Sequence, residues 1–424
     1  MSLEPQVQEL VEHLFRHQAG RMLATLSHIF GLEYLDLAEE VVQDALVQAL
    51  RQWPFHGIPD NPRLWLLQVA RNKALDRLRR QASLRRKKHE IEQRFQQRQS
   101  LLETSESGEA EELVDEQLAM IFACCNPALP REARVALTLK AVSGFSVTEI
   151  ARAFLSEEST IAQRIVRAKR RIREAGITLI LPPPEELPTR LDSVLQVLYL
   201  LFSEGYSAHA GENLVREDLC GEAIRLTQLL AARPSTALPK VHALLALFYF
   251  QAARLSTRVD GDGNLLLLEE QQRTDWDHGL VHLGLIQLEL SAEGDELSEY
   301  HLQAGIAVVH ATSSCFAHTN WPYLLELYDQ LLARAPSPVV ALNRAIALSM
   351  VEGPEAALDS LNALSQEPAL KNYYLLPAVK ADLFRRLGQT TSAADSYRQA
   401  LSYPCTEPER RFLLKRLHDL NPND

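Results

Sequence analysis

Apolar residues recur at three- and four-residue spacing along almost the whole of this 424-residue chain, and strand-type alternation is essentially absent. That period gathers apolar side chains on one face of a helix, so the expected fold class is all-α. The length calls for two to four domains rather than one core. The most apolar stretches, "ALLALFYF" and "SVLQVLYLLF", fall well short of the roughly 20 residues that span a bilayer, so no membrane association is expected. The opening stretch "MSLEPQVQELVEHLFRHQAG" is acidic early, has no apolar run and does not read as a signal peptide. The expected compartment is cytoplasmic. Five scattered cysteines, Cys124, Cys125, Cys220, Cys315 and Cys405, form no C-x-x-C pair and read as reduced thiols packed as small core residues.

Charge and proline divide the chain. Residues 1–80 form a first helical domain. Residues 81–112, "QASLRRKKHEIEQRFQQRQSLLETSESGEAEE", are poor in large apolar residues, switch from basic to acidic and suit a flexible or loosely helical linker. A second helical unit covers 113–176. The stretch 177–188 contains "LPPPEELP", where proline removes backbone donors and biases its neighbours out of the helix. Residues 189–424 are helical again. Near the end, "LNRAIALSMVEGPEAALDSLNAL" and "VKADLFRRLGQTTSAADSYRQAL" overlay with a shift of about 35 residues, close to the tetratricopeptide period. Stacked helix pairs are therefore expected there, with a plain helical bundle as the alternative.

The segment "SVTEIARAFLSEESTIAQRIVRAKRRIRE", residues 146–174, reads as helix, turn, helix. Ser146 with Glu149 makes a capping box at the first helix. Ile161, Ile165, Ala168 and Ile172 give the second helix a stripe to bury. Thr160, Gln163, Arg164 and Arg167 fall largely on the other side near its start, where a recognition helix reaches base edges. Lys169, Arg170, Arg171 and Arg173 continue the basic run and suit phosphates. Acidic residues are confined to the ends of this helix, whereas a merely solvated helix mixes its signs. DNA is the expected target, in a protein whose formal net charge is -11.

A second basic block lies upstream. From Arg63 to Lys88 the cations are Arg63, Arg71, Lys73, Arg77, Arg79, Arg80, Arg85, Arg86, Lys87 and Lys88, against Asp76 alone. Trp53, Phe55 and Trp65 lie beside them. Cations with interleaved aromatics suit a melted single strand, whose bases stack on side chains. Trp65 taken alone reads better as a core residue.

The order AEEVVQDALVQAL, PRLWLLQVARNKALDRLRR, LPREARVALTLKAVSGFSVTEIARAF, STIAQRIVRAKRRIRE resembles regions two and four of an extracytoplasmic-function sigma factor of the sigma-70 family, over about residues 8–176. The resemblance makes 1–80 region two and 113–176 region four, and implies core RNA polymerase (its beta-prime clamp and beta flap) and promoter DNA as partners. Gln43 and Asp44 would meet the clamp. Phe55, His56, Asn61, Arg63, Trp65, Arg71, Asn72, Lys73 and Arg77 would serve the unpaired minus-ten strand. Thr160, Gln163, Arg164, Arg167, Lys169, Arg170 and Arg171 would serve the minus-thirty-five element. Leu155 and Ser159 depart from the compact turn residues usual in the family. "LFSEGYSAHAGENLVREDLCGEAIRL" and the segments after it resemble the long tetratricopeptide-like extension of one sigma-factor subgroup. This implies a regulatory module, with room for contact between the tail and the sigma regions.

No nucleophile elbow, phosphate loop or dinucleotide fingerprint appears, so no enzyme, catalytic residue, cofactor or metal is expected. "DGDGNLLLLEEQ" begins like a calcium loop with Asp260, Asp262 and Asn264 but has Leu265 and Gln271 where glycine and glutamate are needed. His278 and His282 share a helix face but lack a nearby third ligand. The rival reading is a helix-turn-helix regulator with a repeat domain that never joins polymerase. The VVQDA helix separates the two, because such a regulator has no use for it.

Overall fold

The structure, a computed structural model, describes residues 11, 19–80, 106–154, 156–207 and 214–420. The linker stretch 81–105, with Arg85, Arg86, Lys87 and Lys88, lies outside the described residues, as do the side chains of Arg79 and Arg80 and the turn residue Leu155. All described secondary structure is helical apart from an isolated bridge between Val259 and Leu265. None of the described helices is long and apolar enough to cross a membrane. The chain divides into two compact units, Met1–Val197 and Leu198–Asp424.

In the first unit, α1 (19–30) leads through a short turn into α2 (Leu35–His56), which packs against α3 (Pro62–Arg80). Val41, Val42, Ala45, Leu46, Ala49 and Trp53 recur at helical spacing along α2 and are all buried. Leu66, Leu67, Ala70 and Ala74 supply the buried positions of α3. The second half comprises α4 (Glu106–Cys124), α5 (Arg131–Ala141), α6 (Val147–Ala153) and α7 (Glu158–Ala175), with α7 packed on both α5 and α6. α4 starts at Glu106, inside the stretch read from sequence as linker, where an acidic run suits the positive end of a helix.

The two halves of this unit touch at several points. Thr25 donates a buried 2.7 Å hydrogen bond to Glu116. A Cβ at Gly20 would stand 1.8 Å from the Val142 carbonyl oxygen, so α1 approaches the end of α5 as only glycine permits.

The long helix α8 (Leu187–Tyr206) starts at the end of the proline-rich stretch, with Pro188 in its first turn, and the boundary between units falls within it, after Val197. Its first turns are bonded to the second half of the first unit. Ser193 Oγ donates to the Cys125 carbonyl at 2.6 Å and accepts from Arg134 at 2.7 Å. Arg190 donates to the Phe122 carbonyl at 2.9 Å.

The second unit is built around α10 (Pro239–Ala252), apolar on nearly all sides and contacted by α9 (Glu217–Ala231), α11 (His278–Ser291) and α12 (Glu299–Thr312). Helices α13 (Trp321–Arg334), α14 (Pro338–Val351), α15 (Pro354–Ala363), α16 (Leu375–Arg386), α17 (Thr390–Leu401) and α18 (Glu407–Leu420) follow, each packed on the next. The two overlaid sequence segments are the pairs α14–α15 and α16–α17. Their turns carry Gly353 and Gly388 at φ 97° and 74° in equivalent places. Ala381, Ala393, Tyr397 and Ala400 are buried, as the repeat pattern requires, and Phe384 is half-buried. Cys124, Cys125, Cys220 and Cys405 are core residues, but Cys315 is exposed, in the connection after α12.

Candidate nucleic-acid interface

Helix α7 is set by its own sequence. The Ser146 hydroxyl accepts from the Glu149 amide at 3.1 Å, and the Glu149 carboxylate accepts from the Ser146 amide at 2.7 Å, fixing the start of α6. Ile161, Ile165, Ala168 and Ile172 are buried, and Gly176 ends α7 in the left-handed conformation. Gln163, Arg167, Arg170 and Arg171 are exposed, with Thr160 and Arg164 half-buried beside them. Arg170 faces Glu174 at 3.5 Å, a solvated pair one turn apart that holds it weakly. Ser159 is exposed in the first turn.

Lys169 departs from the sequence expectation. Its side chain is 8% exposed, and Nζ lies 2.8 Å from both Asp36 Oδ1 and Glu39 Oε2 of α2. Arg173 reaches Asp36 at 3.3 Å. Position 169 is four residues after Ile165 and three before Ile172, so it borders the buried stripe and points to region two rather than to phosphates. Burial alone would lower the Lys169 pKa, but the Glu39 and Asp36 carboxylates outweigh it and raise the value. Burial likewise works to raise Asp36, and Lys169 with Arg173 outweighs it, leaving that carboxyl below its ordinary range.

The last turn of α2 presents Phe55, 81% exposed, and exposed His56, and the connection to α3 adds exposed Ile58 and Asn61. Gly57, at φ 83°, ends α2, and the Asn61 side chain caps α3, its Oδ1 accepting from the Leu64 amide at 3.0 Å. Trp65 is half-buried and meets the buried Trp53 ring edge-on at 5.4 Å, so one face is core and the rest reaches the surface. Asn72 is exposed; Arg63, Arg71 and Lys73 are half-buried. Arg77 is a strut between helices, paired with Glu40 and, at 2.8 Å, with Asp44. Asp44 is thus engaged within region two, while Gln43 is exposed. Sequence reasoning missed Val47 and Leu50, which stand 45% and 41% exposed one and two turns beyond Gln43. The signal was there: VVQDALVQAL carries apolar residues on more of its circumference than one buried face needs.

Among the described residues no group of three or more His, Cys, Asp or Glu side chains could hold a metal ion. Asp260 instead ties its own turn, accepting from the amides of Asp262 and Asn264 at 2.9 and 2.8 Å. His278 and His282 are both exposed.

These surfaces belong to a helical protein that presents cations at two separate places, on α7 and on α3. Residues 14–84 match Sigma-70 region 2 and residues 120–172 match Sigma-70, region 4. Residues 190–292 match a Family of unknown function (DUF6596). An uncharacterized protein of Rhizobium meliloti (strain 1021) is 38% identical over 391 residues, covering 91% of this chain and 90% of its own length. No solved structure matches. The chain belongs to the sigma-70 family as an extracytoplasmic-function sigma factor with a long C-terminal extension. The family comprises non-enzymatic, DNA-binding factors of transcription initiation.

Proposed function

We propose that this sigma factor joins core RNA polymerase through the exposed side of α2 and directs it to promoters by gripping DNA at two places. Gln43, Val47 and Leu50 form the surface for the polymerase clamp, with Asp44 held beside them by Arg77. Phe55, His56 and Asn61, above Trp65, Arg71, Asn72 and Lys73, receive the unpaired minus-ten strand. Thr160, Gln163, Arg164 and Arg167 read the minus-thirty-five element in the major groove, and Arg170 and Arg171 take phosphates. This activity belongs in the cytoplasm, with the polymerase. The C-terminal extension governs when it occurs.

The observation that carries this reading is Phe55, a large aromatic held almost wholly in solvent beside a cationic helix. Such exposure has no role in folding and suits stacking on an unpaired base. The Lys169 clasp adds a condition. Two elements some 25 base pairs apart are separated by roughly 80 Å at about 3.4 Å per pair, a span that regions two and four cannot cover while clasped. The clasp therefore opens when polymerase is bound.

Run-off transcription with purified core polymerase tests the reading. A promoter-specific transcript that depends on this protein supports it. Binding to DNA with no such transcript defeats it in favour of a regulator that acts without polymerase.

A further inference from the structure

Three arginines gather around the connection between α10 and α11 with no counter-charge among the described residues. Arg258 and Arg273 are buried, and Arg254 faces a cavity of about 800 Å³ inside the second unit. Among the described residues no carboxylate lies within ion-pair distance of any of the three. Arg254 Nε donates to the Gln271 side chain at 3.2 Å, Arg258 to the Tyr206 carbonyl, and Arg273 Nη1 to the carbonyls of Leu268 and Gln271 at 3.3 Å. All of these acceptors are neutral. Arg273 Nε and Nη2 are buried without a partner.

Two of the residues that line the cavity also carry a buried, unanswered polar atom. Trp276, 4% exposed, has its indole N–H unpaired, and His310 has Nδ1 unpaired. The guanidiniums of Arg254 and Arg273 lie 5.5 and 4.4 Å from the Trp276 ring centre. The cluster strains against itself electrostatically. Burial lowers the pKa of Arg254 and of Arg273, and each feels a neighbouring guanidinium besides. Burial, with Arg254 and Arg273, pushes His310 down to about 4, so its ring is neutral near pH 7. Of the carboxylates on the wall, Asp382 is held by Arg385 at 2.7 Å and Glu269 is exposed.

Elsewhere the wall is largely apolar, with Phe250, Ile306, Phe316, Tyr328 and Met350 among its residues, and its other cations are engaged, Arg385 with Asp382 and Arg386 with Ser349. Its volume falls within the range of small-molecule sites, roughly 300–1,000 Å³. Buried cations are ordinarily paired, and a guanidinium fork matches a planar carboxylate. From this arrangement we infer that the extension holds one small organic carboxylate with an apolar body, its head on Arg254 beside the Trp276 and His310 ring nitrogens and its body against the aromatic wall.

Calorimetric titration of the full-length chain with sodium octanoate and sodium phenylacetate tests this, with 1-octanol and inorganic phosphate as controls. Saturable binding of one acid molecule per chain is expected, with neither control matching it. Arg254→Gln should weaken the acid about tenfold or more. Met350→Trp, which fills the cavity and leaves the arginines in place, should weaken it too. Octanol binding as well as octanoate would mean an apolar hole, and phosphate binding as well as octanoate a phosphoryl site; either overturns the inference. So does the absence of saturable binding by both acids at millimolar concentration, or full binding by R254Q. Should R254Q lose its fold by circular dichroism, undiminished binding by M350W is the overturning result. Binding is read without transcription, so this inference and the polymerase reading fail separately.

Discussion

Lys169 Nζ lies 2.8 Å from Glu39 Oε2, so helix α7 of region four is fastened to α2 of region two by a largely buried ion pair. Removing the lysine leaves Glu39 desolvated without its cation. Lys169→Ala should therefore cost about 2 kcal/mol of stability and let the regions part. Spin labels at the exposed positions Gln68 and Arg171, in a Cys315→Ser background, should show a longer and broader distance distribution. An unchanged distribution would mean that the clasp does not hold the regions together.

The clasp has a definite pH response. Asp36 is depressed in the folded chain, so its contribution is present at neutral pH and is lost as pH falls through its lowered value. Lys169 is raised, so its contribution persists through neutral pH and is lost only when pH climbs above the ordinary lysine range. The same label pair should report one constant distance from about pH 5 to about pH 9 and lengthen below about pH 4. Opening near pH 6 would implicate some other group.

Phe55 and Trp53 sit two residues apart and should behave in opposite ways. Phe55→Ala removes a side chain that is 81% exposed, so stability should change by no more than about 0.5 kcal/mol while promoter melting, followed by permanganate footprinting, is impaired. Trp53→Ala empties a core position that is 1% exposed and should cost about 3–5 kcal/mol. Normal melting by Phe55→Ala would remove the loop from the DNA-capturing surface.

Arg164 lies near the start of α7 and Arg171 near its end. Arg164→Ala should lose about 1–3 kcal/mol at one base position of the minus-thirty-five element. Arg171→Ala should weaken all promoter variants alike. A binding screen across single-base promoter variants separates the two patterns, and uniform weakening by Arg164→Ala would reassign that residue to phosphate.

Thiol reactivity should follow burial. Burial pushes the Cys125 and Cys220 thiols up to about 12 and also raises Cys124 and Cys405. Titration of the native chain with a disulfide reagent at pH 8 should give one fast thiol, lost in Cys315→Ser, and the other four only after unfolding. Two fast thiols would show that one of the core helices opens readily.

Most of the α6–α7 pair is legible in its sequence because the determinants are local: a serine three residues before a glutamate at the start of α6, and in α7 a stripe of isoleucines with a glycine just past the end. Lys169 is not, because its partners Asp36 and Glu39 lie more than a hundred residues away. A basic residue beside a buried stripe has two possible neighbours, DNA or another domain, and spacing does not choose between them. Asn61 and Arg77 fit the same pattern: both sit in the expected surface, but one caps α3 and the other braces α2. The repeated pairs near the carboxyl end are visible through Gly353 and Gly388. The arginine cluster is not, because Arg273 lies 15 residues beyond Arg258 in a connection with no α-helix, where no period relates the two.

Region four's basic helix has fewer free cations in the clasped chain than its sequence counts. Lys169 is occupied by the Asp36 and Glu39 carboxylates, and Arg173 by Asp36. Each phosphate neutralised contributes about -0.9 to the logarithmic salt dependence of DNA binding. A clasped chain meeting DNA alone thus displaces up to two fewer counterions than an opened one. The steepness of that salt dependence becomes a gauge of which state of the protein is doing the binding.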